Sequence, residues 1–384
     1  MKKTLSFIFA LFVVISSLSF SAFAENDLKV NAKAAVLMDV ETGKVLYSQN
    51  ENEKLYPASV TKIMPLLLFM EAVDSGKMAL TDVVTASPTA ASKGGSQIWL
   101  KEGEQMTVDE LLRATAIASA NDACTALGEH LAGSEEGFVK MMNEKATELG
   151  MTNTHFDNCS GLDDDTTTHL TTAYDIALMS RALLKHDRIR TYTTVWMDSL
   201  RDGATELVNT NRLVRFYNGT TGLKTGTTSK AGHCLSASAE RDGLHLVAVV
   251  MGAGNSTDRF EGAKALLNWG FANYESFTPQ IDSSQFSDVT VIRGIEKTVR
   301  PIVSGLSDIL LESGKKGQIE TEIELSQDVE APVEDKQLLG KVKLKIGDEV
   351  IEEYSLVAEK GVRRITFGDV VARFFILMTK SEQY

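Results

Sequence analysis

Three short strings stand in a fixed order along this chain: Ser59-Val60-Thr61-Lys62, Ser119-Ala120-Asn121 and Lys224-Thr225-Gly226. Each falls in a different kind of local structure. A fold that uses all three must therefore bring a helix start, a break between two helices and a strand to one place. Any one string alone is weak evidence: Ser313-Gly314-Lys315-Lys316 repeats the S-x-x-K spacing and Ser48-Gln49-Asn50 the S-x-N spacing, whereas Lys-Thr-Gly occurs only at 224 to 226. Together they supply a hydroxyl nucleophile, a lysine one helical turn on, a second hydroxyl with an amide, and a strand-borne cation beside a glycine. That is the equipment of serine acyl transfer.

The flanking residues assign the local structure. Pro57 precedes an apolar run from Ile63 to Val73 that closes at Asp74-Ser75-Gly76, which is helix punctuation at both ends and sets Ser59 at a helix N-terminus. Free amides and the helix dipole favour a developing negative charge there. Lys62 lies on the same face as Ser59, and the buried helix that follows argues against a solvated lysine. Pro65 removes one helical amide, so a bend is expected. Thr107-Val108-Asp109-Glu110 reads as a capping box opening a helix through Ile117. Ser119 to Asp122 then interrupts it, with Asn121 or Asp122 expected to cap the next helix. Ala34 to Tyr47 reads as two strands about a turn at Glu41-Thr42-Gly43. The runs His233–Ala239 and Leu244–Met251 read as a hairpin about Arg241-Asp242-Gly243. Gly226 within a strand marks a close approach to the backbone, expected here to be that of a substrate. Thr257 to Trp269 reads as an amphipathic helix packing on that sheet.

The start of the chain is Met1-Lys2-Lys3, an apolar stretch from Leu5 to Leu18, and Ala22-Phe23-Ala24 ahead of polar residues. This describes an export leader cleaved after Ala24, too short to span a bilayer. The formal net charge of −13 becomes more negative once the leader's two lysines go, which argues against a nucleic-acid partner. Cys124, Cys159 and Cys234 are odd in number and widely spaced, so they read as isolated small thiols. The six histidines form no H-E-x-x-H, and neither a metal nor another cofactor is expected.

After Phe277-Thr278-Pro279 the character changes to short alternating stretches such as Ile319–Leu325 and Lys341–Ile346, a small β-rich domain. The tail carries Phe367, Val370, Val371, Phe374, Leu377 and Met378 at helical spacing, bordered by Arg363, Arg364, Arg373 and Lys380. It is read as a membrane-surface helix rather than one docked on its own domain. The expected organisation is a leader at 1–24, a catalytic domain at 25–278, a β-rich domain at 279–362 and an amphipathic tail at 363–384.

With these residues in view the chain resembles the low-molecular-mass penicillin-binding proteins of the serine D-alanyl-D-alanine carboxypeptidase type (peptidase S11 family). The likeness spans nearly all of the chain after the leader. It includes the three strings, Phe156-Asp157-Asn158-Cys159-Ser160-Gly161-Leu162-Asp163, Ala231-Gly232-His233, Asn268-Trp269-Gly270-Phe271, the β-rich appendage and the tail. The resemblance implies an α+β fold: a β-lactamase/transpeptidase-like catalytic domain whose antiparallel sheet has helices on both faces. It implies removal of the terminal D-alanine from peptidoglycan stem pentapeptides in cell wall biogenesis, covalent capture of β-lactams, and work outside the cytoplasm at the outer face of the membrane. Carried over by residue, Ser59 is the acylated nucleophile, Lys62 its base and Ser119 the relay to the leaving amine. Asn121 positions the substrate, and Lys224 and Thr225, with Gly226 and Thr227, hold it. Thr227 stands where some relatives carry His. Arg212 keeps two readings, holding the substrate carboxylate or supporting the strand.

There is no evident Ser-His-Asp set, so Lys62 has to be neutral to act as base. Burial and the nearby Lys224 cation are both expected to lower its pKa. The amides of Ser59 and Thr227 are the candidate oxyanion donors. Three other functions compete with this one. A D,D-endopeptidase would use the same site. A β-lactamase shares the strings, but acids after Ser119 such as Glu148 lack the setting of a water-activating glutamate. A non-catalytic wall-binding protein would be expected to have lost Ser59 or Lys62.

Overall fold

The computed structural model describes residues 28–380. The expected leader lies outside the described residues. Five strands form an antiparallel sheet: β1 (Ala34–Asp39), β2 (Val45–Gln49), β3 (Thr220–Thr228), β4 (Gly232–Arg241) and β5 (Leu244–Ala253). Their spatial order is β2-β1-β5-β4-β3, so β3 is an edge strand. The β4–β5 turn has Asp242 at φ 49° and Gly243 at φ 80°, the left-handed pair that a tight hairpin requires.

Alternation along the strands sorts side chains to two cores. Ala34, Val36, Met38, Val247, Val249 and Met251 point to one face. There they meet α1 (Ile63–Asp74), α2 (Val108–Ile117), α3 (Asn121–Ala132) and α4 (Ala173–Leu184). Ala35, Leu37, Leu246, Ala248 and Val250 point to the other face, which Phe260, Ala263, Leu266 and Leu267 of α5 (Ser256–Asn273) cover. Each Val, Leu, Met or Phe side chain so buried contributes about 1.5–3 kcal/mol relative to exposure. The helix α1 is buried without a break from Ile63 to Met70, which is why its sequence has no polar stripe.

The second, β-rich region begins directly after α5, where Tyr274–Phe277 pairs with Ile309–Glu312. Its largest sheet is antiparallel, in the order 301–304, 349–358, 338–346, 319–325. A parallel pair, 289–292 with 328–330, joins a separate small sheet. The described residues end in α6 (Phe367–Lys380). This helix leaves Phe367 83% exposed, with Val370, Phe374, Phe375 and Met378 also exposed. No helix among the described residues is long and apolar enough to cross a membrane.

Candidate active site

Ser59 lies in a single 3-10 turn, Ala58–Lys62, that runs into α1 at Ile63. The helix start expected from the sequence is thus two helical forms in series. Pro65 falls in the first turn of α1, where a missing amide costs little. Ala58 is held at φ 48° and Ser119 at φ 64°. Left-handed non-glycine residues cost about 1–3 kcal/mol each and persist only where the surroundings over-determine them.

Lys62 donates from Nζ to Ser59 Oγ at 3.1 Å and to the Ser160 carbonyl at 2.8 Å. It is 0% exposed. Burial brings its pKa down to about 8, against the opposing pull of Cys124, Cys159 and Asp122. Lys224 is 1% exposed, and burial, then repulsion from Lys62, pushes it well below the ordinary lysine value. The expected joint action is therefore uneven: burial leads at Lys62, and the repulsion registers on Lys224.

The segment that supplies the Ser160 carbonyl is folded by Asn158, whose Oδ1 accepts from the Ser160 and Gly161 amides at 3.1 and 2.7 Å. It is pressed against the Ser59 turn. Gly161 sits at φ 86°, and a Cβ there would lie 1.9 Å from the Ala58 carbonyl oxygen. His169 ties the same parts together. Its Nδ1 accepts from the Asp157 amide at 3.0 Å, so Nε2 carries the proton and donates to Thr61 Oγ1 at 2.9 Å. Burial lowers its pKa to about 4, which keeps the ring neutral and structural. The sequence reading gave Ser160 and His169 no role. A backbone acceptor has no side-chain signature, and only the Asn158…Gly161 turn chemistry hinted at it.

Ser119 is buried at the break before α3, and its Oγ has no hydrogen-bond partner among the described residues. Asn121 does not cap α3, and neither does Asp122. The Asn121 amide donates to the Gly94 carbonyl at 2.7 Å, and its Oδ1 has no partner among the described residues. The Asp122 carboxylate accepts from the Ile98 and Leu100 amides. Long-range bonding to the 94–100 segment thus replaces the local cap. Cys124 and Cys159 are not isolated: Cys124 Sγ donates to the Cys159 carbonyl at 3.4 Å. The neighbouring Cys124 thiol and burial hold Cys159 well above the ordinary thiol range.

On β3, Thr225 Oγ1 donates to Thr210 Oγ1 at 2.7 Å. Thr227 is exposed, its Oγ1 accepts from Arg259 at 2.9 Å, and His233 across the ladder is 3.4 Å away. The close approach at Gly226 comes from the protein itself. A Cβ there would lie 2.7 Å from the Pro57 carbonyl oxygen and 2.9 Å from the Ser59 amide. The substrate expected at that point is thus replaced by the turn that carries Ser59. Arg212 is exposed and makes no hydrogen bond to β3. Glu148 is exposed and ion-paired to Lys145 at 2.7 Å.

The family model described as D-alanyl-D-alanine carboxypeptidase matches residues 21–255, and that described as Penicillin-binding protein 5, C-terminal domain matches 274–364. D-alanyl-D-alanine carboxypeptidase DacF of Bacillus subtilis is 42% identical over 379 residues, 96% of each chain. Penicillin binding protein 5 from Haemophilus influenzae aligns with a TM-score of 0.76 at 30% identity, covering 88% of this chain and 98% of its own. Penicillin-binding protein D2 from Listeria monocytogenes, solved with ampicillin bound, aligns at 0.59 with 33% identity, covering 64% of this chain and 99% of its own. From the two-faced antiparallel sheet to the β-rich appendage, and across nearly its whole length, this chain belongs to the D-alanyl-D-alanine carboxypeptidase family of penicillin-binding proteins.

Proposed function

We propose that the protein is a serine D,D-carboxypeptidase that trims the terminal D-alanine from peptidoglycan stem pentapeptides, with Ser59 as nucleophile and Lys62 as base. The observation that carries this reading is the 3.1 Å contact between Lys62 Nζ and Ser59 Oγ in a buried setting. With a pKa of about 8, roughly one Lys62 in ten is neutral at pH 7. That fraction can take the Ser59 proton as Oγ attacks the carbonyl of the penultimate residue. The amides of Ser59 and Thr227 receive the oxyanion, and loss of one such donor typically raises the barrier by about 3 kcal/mol. The Gly226 contact supports this pairing, because the missing Cβ lets β3 lie against the Ser59 turn.

The scissile C–N bond then breaks, and Ser119 Oγ passes the proton to the departing amine. Water hydrolyses the Ser59 ester and frees the shortened peptide. As an edge strand, β3 can add an extended substrate by main-chain pairing. Lys224 and Thr225 hold the terminal carboxylate, and Asn121 orients the acyl portion. β-Lactams present the same carbonyl and leave a slow ester on Ser59. D-Alanine release from Nα,Nε-diacetyl-L-lysyl-D-alanyl-D-alanine tests the reading. The parent releases it and Ser59→Ala stays at background; no release by the parent would overturn the proposal.

On the same reading the protein is exported and attached to the outer face of the cytoplasmic membrane through α6. The exposed Phe367, Phe374 and Phe375 support this, since a helix docked on its own domain would cover them. Phe374→Glu with Phe375→Glu is expected to abolish sedimentation with anionic vesicles; unchanged sedimentation would refute the attachment.

A further inference from the structure

Among the described residues, the largest sheet of the β-rich region ends at two strands with no neighbour beyond them, and the two are built differently. One is Pro301–Ser304, which is short and begins with a proline. Shortness and proline are how natural sheets blunt an edge. The other is Ile319–Leu325, seven residues long and paired to 338–346 on its inner side without a register shift. It contains neither proline nor lysine, and no backbone group on its outer side is hydrogen-bonded among the described residues.

The faces of this strand differ in chemistry, because alternate residues point opposite ways. Glu320, Glu322 and Glu324 are exposed on one face, while Ile319, Ile323 and Leu325 are half-buried on the other, at the margin of the core. The next strand matches the acids only in part. In the ladder Glu320 stands opposite Lys345, Glu322 opposite Lys343 and Glu324 opposite Lys341. The lysines lean one step along, so Lys345 pairs with Glu322 at 2.9 Å and Lys343 with Glu324. Glu320 is left with no side-chain partner among the described residues, and neither has Glu322 Oε1.

An unprotected edge of this length is a template for main-chain pairing with another strand. The acid row restricts which strand. A second copy is disfavoured: antiparallel pairing centred on Glu322 sets Glu320 against Glu324 and Glu322 against itself, and like charges directly opposite destabilise a pair. A basic strand is favoured, and Lys341-Val342-Lys343-Leu344-Lys345-Ile346 shows within the molecule what fits. Its lysines face the acids and its aliphatic side chains join the core.

We propose that the outer edge of 319–325 docks an extended segment of another protein, one in which lysine or arginine alternates with aliphatic residues. The backbone of that segment continues the sheet. Its basic side chains meet Glu320, Glu322 and Glu324, and its aliphatic ones cover Ile319, Ile323 and Leu325. The surface lies in the β-rich region, and the inference does not depend on the acyl-transfer reading.

The test measures binding of fluorescently labelled, end-blocked peptides to the intact protein, together with backbone hydrogen exchange. The probe is Lys-Val-Lys-Leu-Lys-Ile, copied from 341–346. The controls are Lys-Lys-Lys-Val-Leu-Ile, of the same composition without the alternation, and Glu-Val-Glu-Leu-Glu-Ile. The alternating basic peptide is expected to bind at least about tenfold more tightly than either control and to slow exchange at 319–325. Glu320→Lys should weaken that binding about fivefold and leave far-ultraviolet circular dichroism unchanged, since the carboxylate it removes has no partner in the fold. Equal binding of the two basic peptides, with exchange at 319–325 unaltered, would reduce the effect to attraction by net negative charge and overturn the proposal. Full binding to Glu320→Lys, or no binding to the parent, would overturn it as well. Exchange at 319–325 that slows with protein concentration alone would give the edge to a second copy and refute the basic partner.

Discussion

The two halves of the molecule use lysine in opposite ways. Lys62 and Lys224 of the catalytic region are sealed from water, with no carboxylate among the described residues bonded to either. Lys341, Lys343 and Lys345 of the β-rich region stand on one strand opposite Glu324, Glu322 and Glu320 of the next and pair in water with the first two of these. The buried pair is costly to the fold, and that cost is what lowers the pKa and makes a base available near neutrality. The solvent-facing row is screened and contributes little energy. Charge is chemistry in one region and a solvated surface in the other.

The sharpest way to break this contrast is to remove the buried groups. Ser59→Ala and Lys62→Met are each expected to lower D-alanine release by at least about 10³-fold, with far-ultraviolet circular dichroism unchanged. Activity retained by Lys62→Met would show that the buried lysine is not the base. Next comes Gly226→Ala, whose added carbon meets the backbone of the Ser59 turn. A displacement of the order of 1 Å there should slow acylation about 10²-fold. A variant that acylates at the parent rate would mean that the contact is slack. The smallest effect is expected from Lys343→Gln, which breaks the contact to Glu324. Activity should not change, and the melting temperature should stay within about 2 °C. A larger loss would erase the distinction drawn between the two regions.

Much of this was legible in the sequence where the determinant is local. The Asp242-Gly243 hairpin, the Thr107 capping box and the three-residue offset of Ser59 and Lys62 are short-range features, and they fold as read. The misreadings share a cause in long-range contact. Gly226 announced a close approach, but its partner is the Ser59 turn, far away along the chain. Asp122 looked like a cap, yet its carboxylate is used by amides at 98 and 100. Cys124 and Cys159 looked isolated because nothing in their spacing shows that α3 meets the Asn158–Asp163 segment. The Ser160 carbonyl, which shares Lys62 with Ser59, is invisible to any residue pattern.

The most direct test of the central claim is the pH dependence of Ser59 acylation by benzylpenicillin, followed as the growth of an intact-mass adduct. Burial lowers the Lys62 pKa to about 8, so the neutral base accumulates as pH rises. The rate should climb about tenfold per unit below pH 8 and level off above it, with no adduct in Ser59→Ala. A rate that is flat from pH 6 to 9, or that turns at the ordinary histidine value near 6.5, would contradict the assignment of Lys62 as the base.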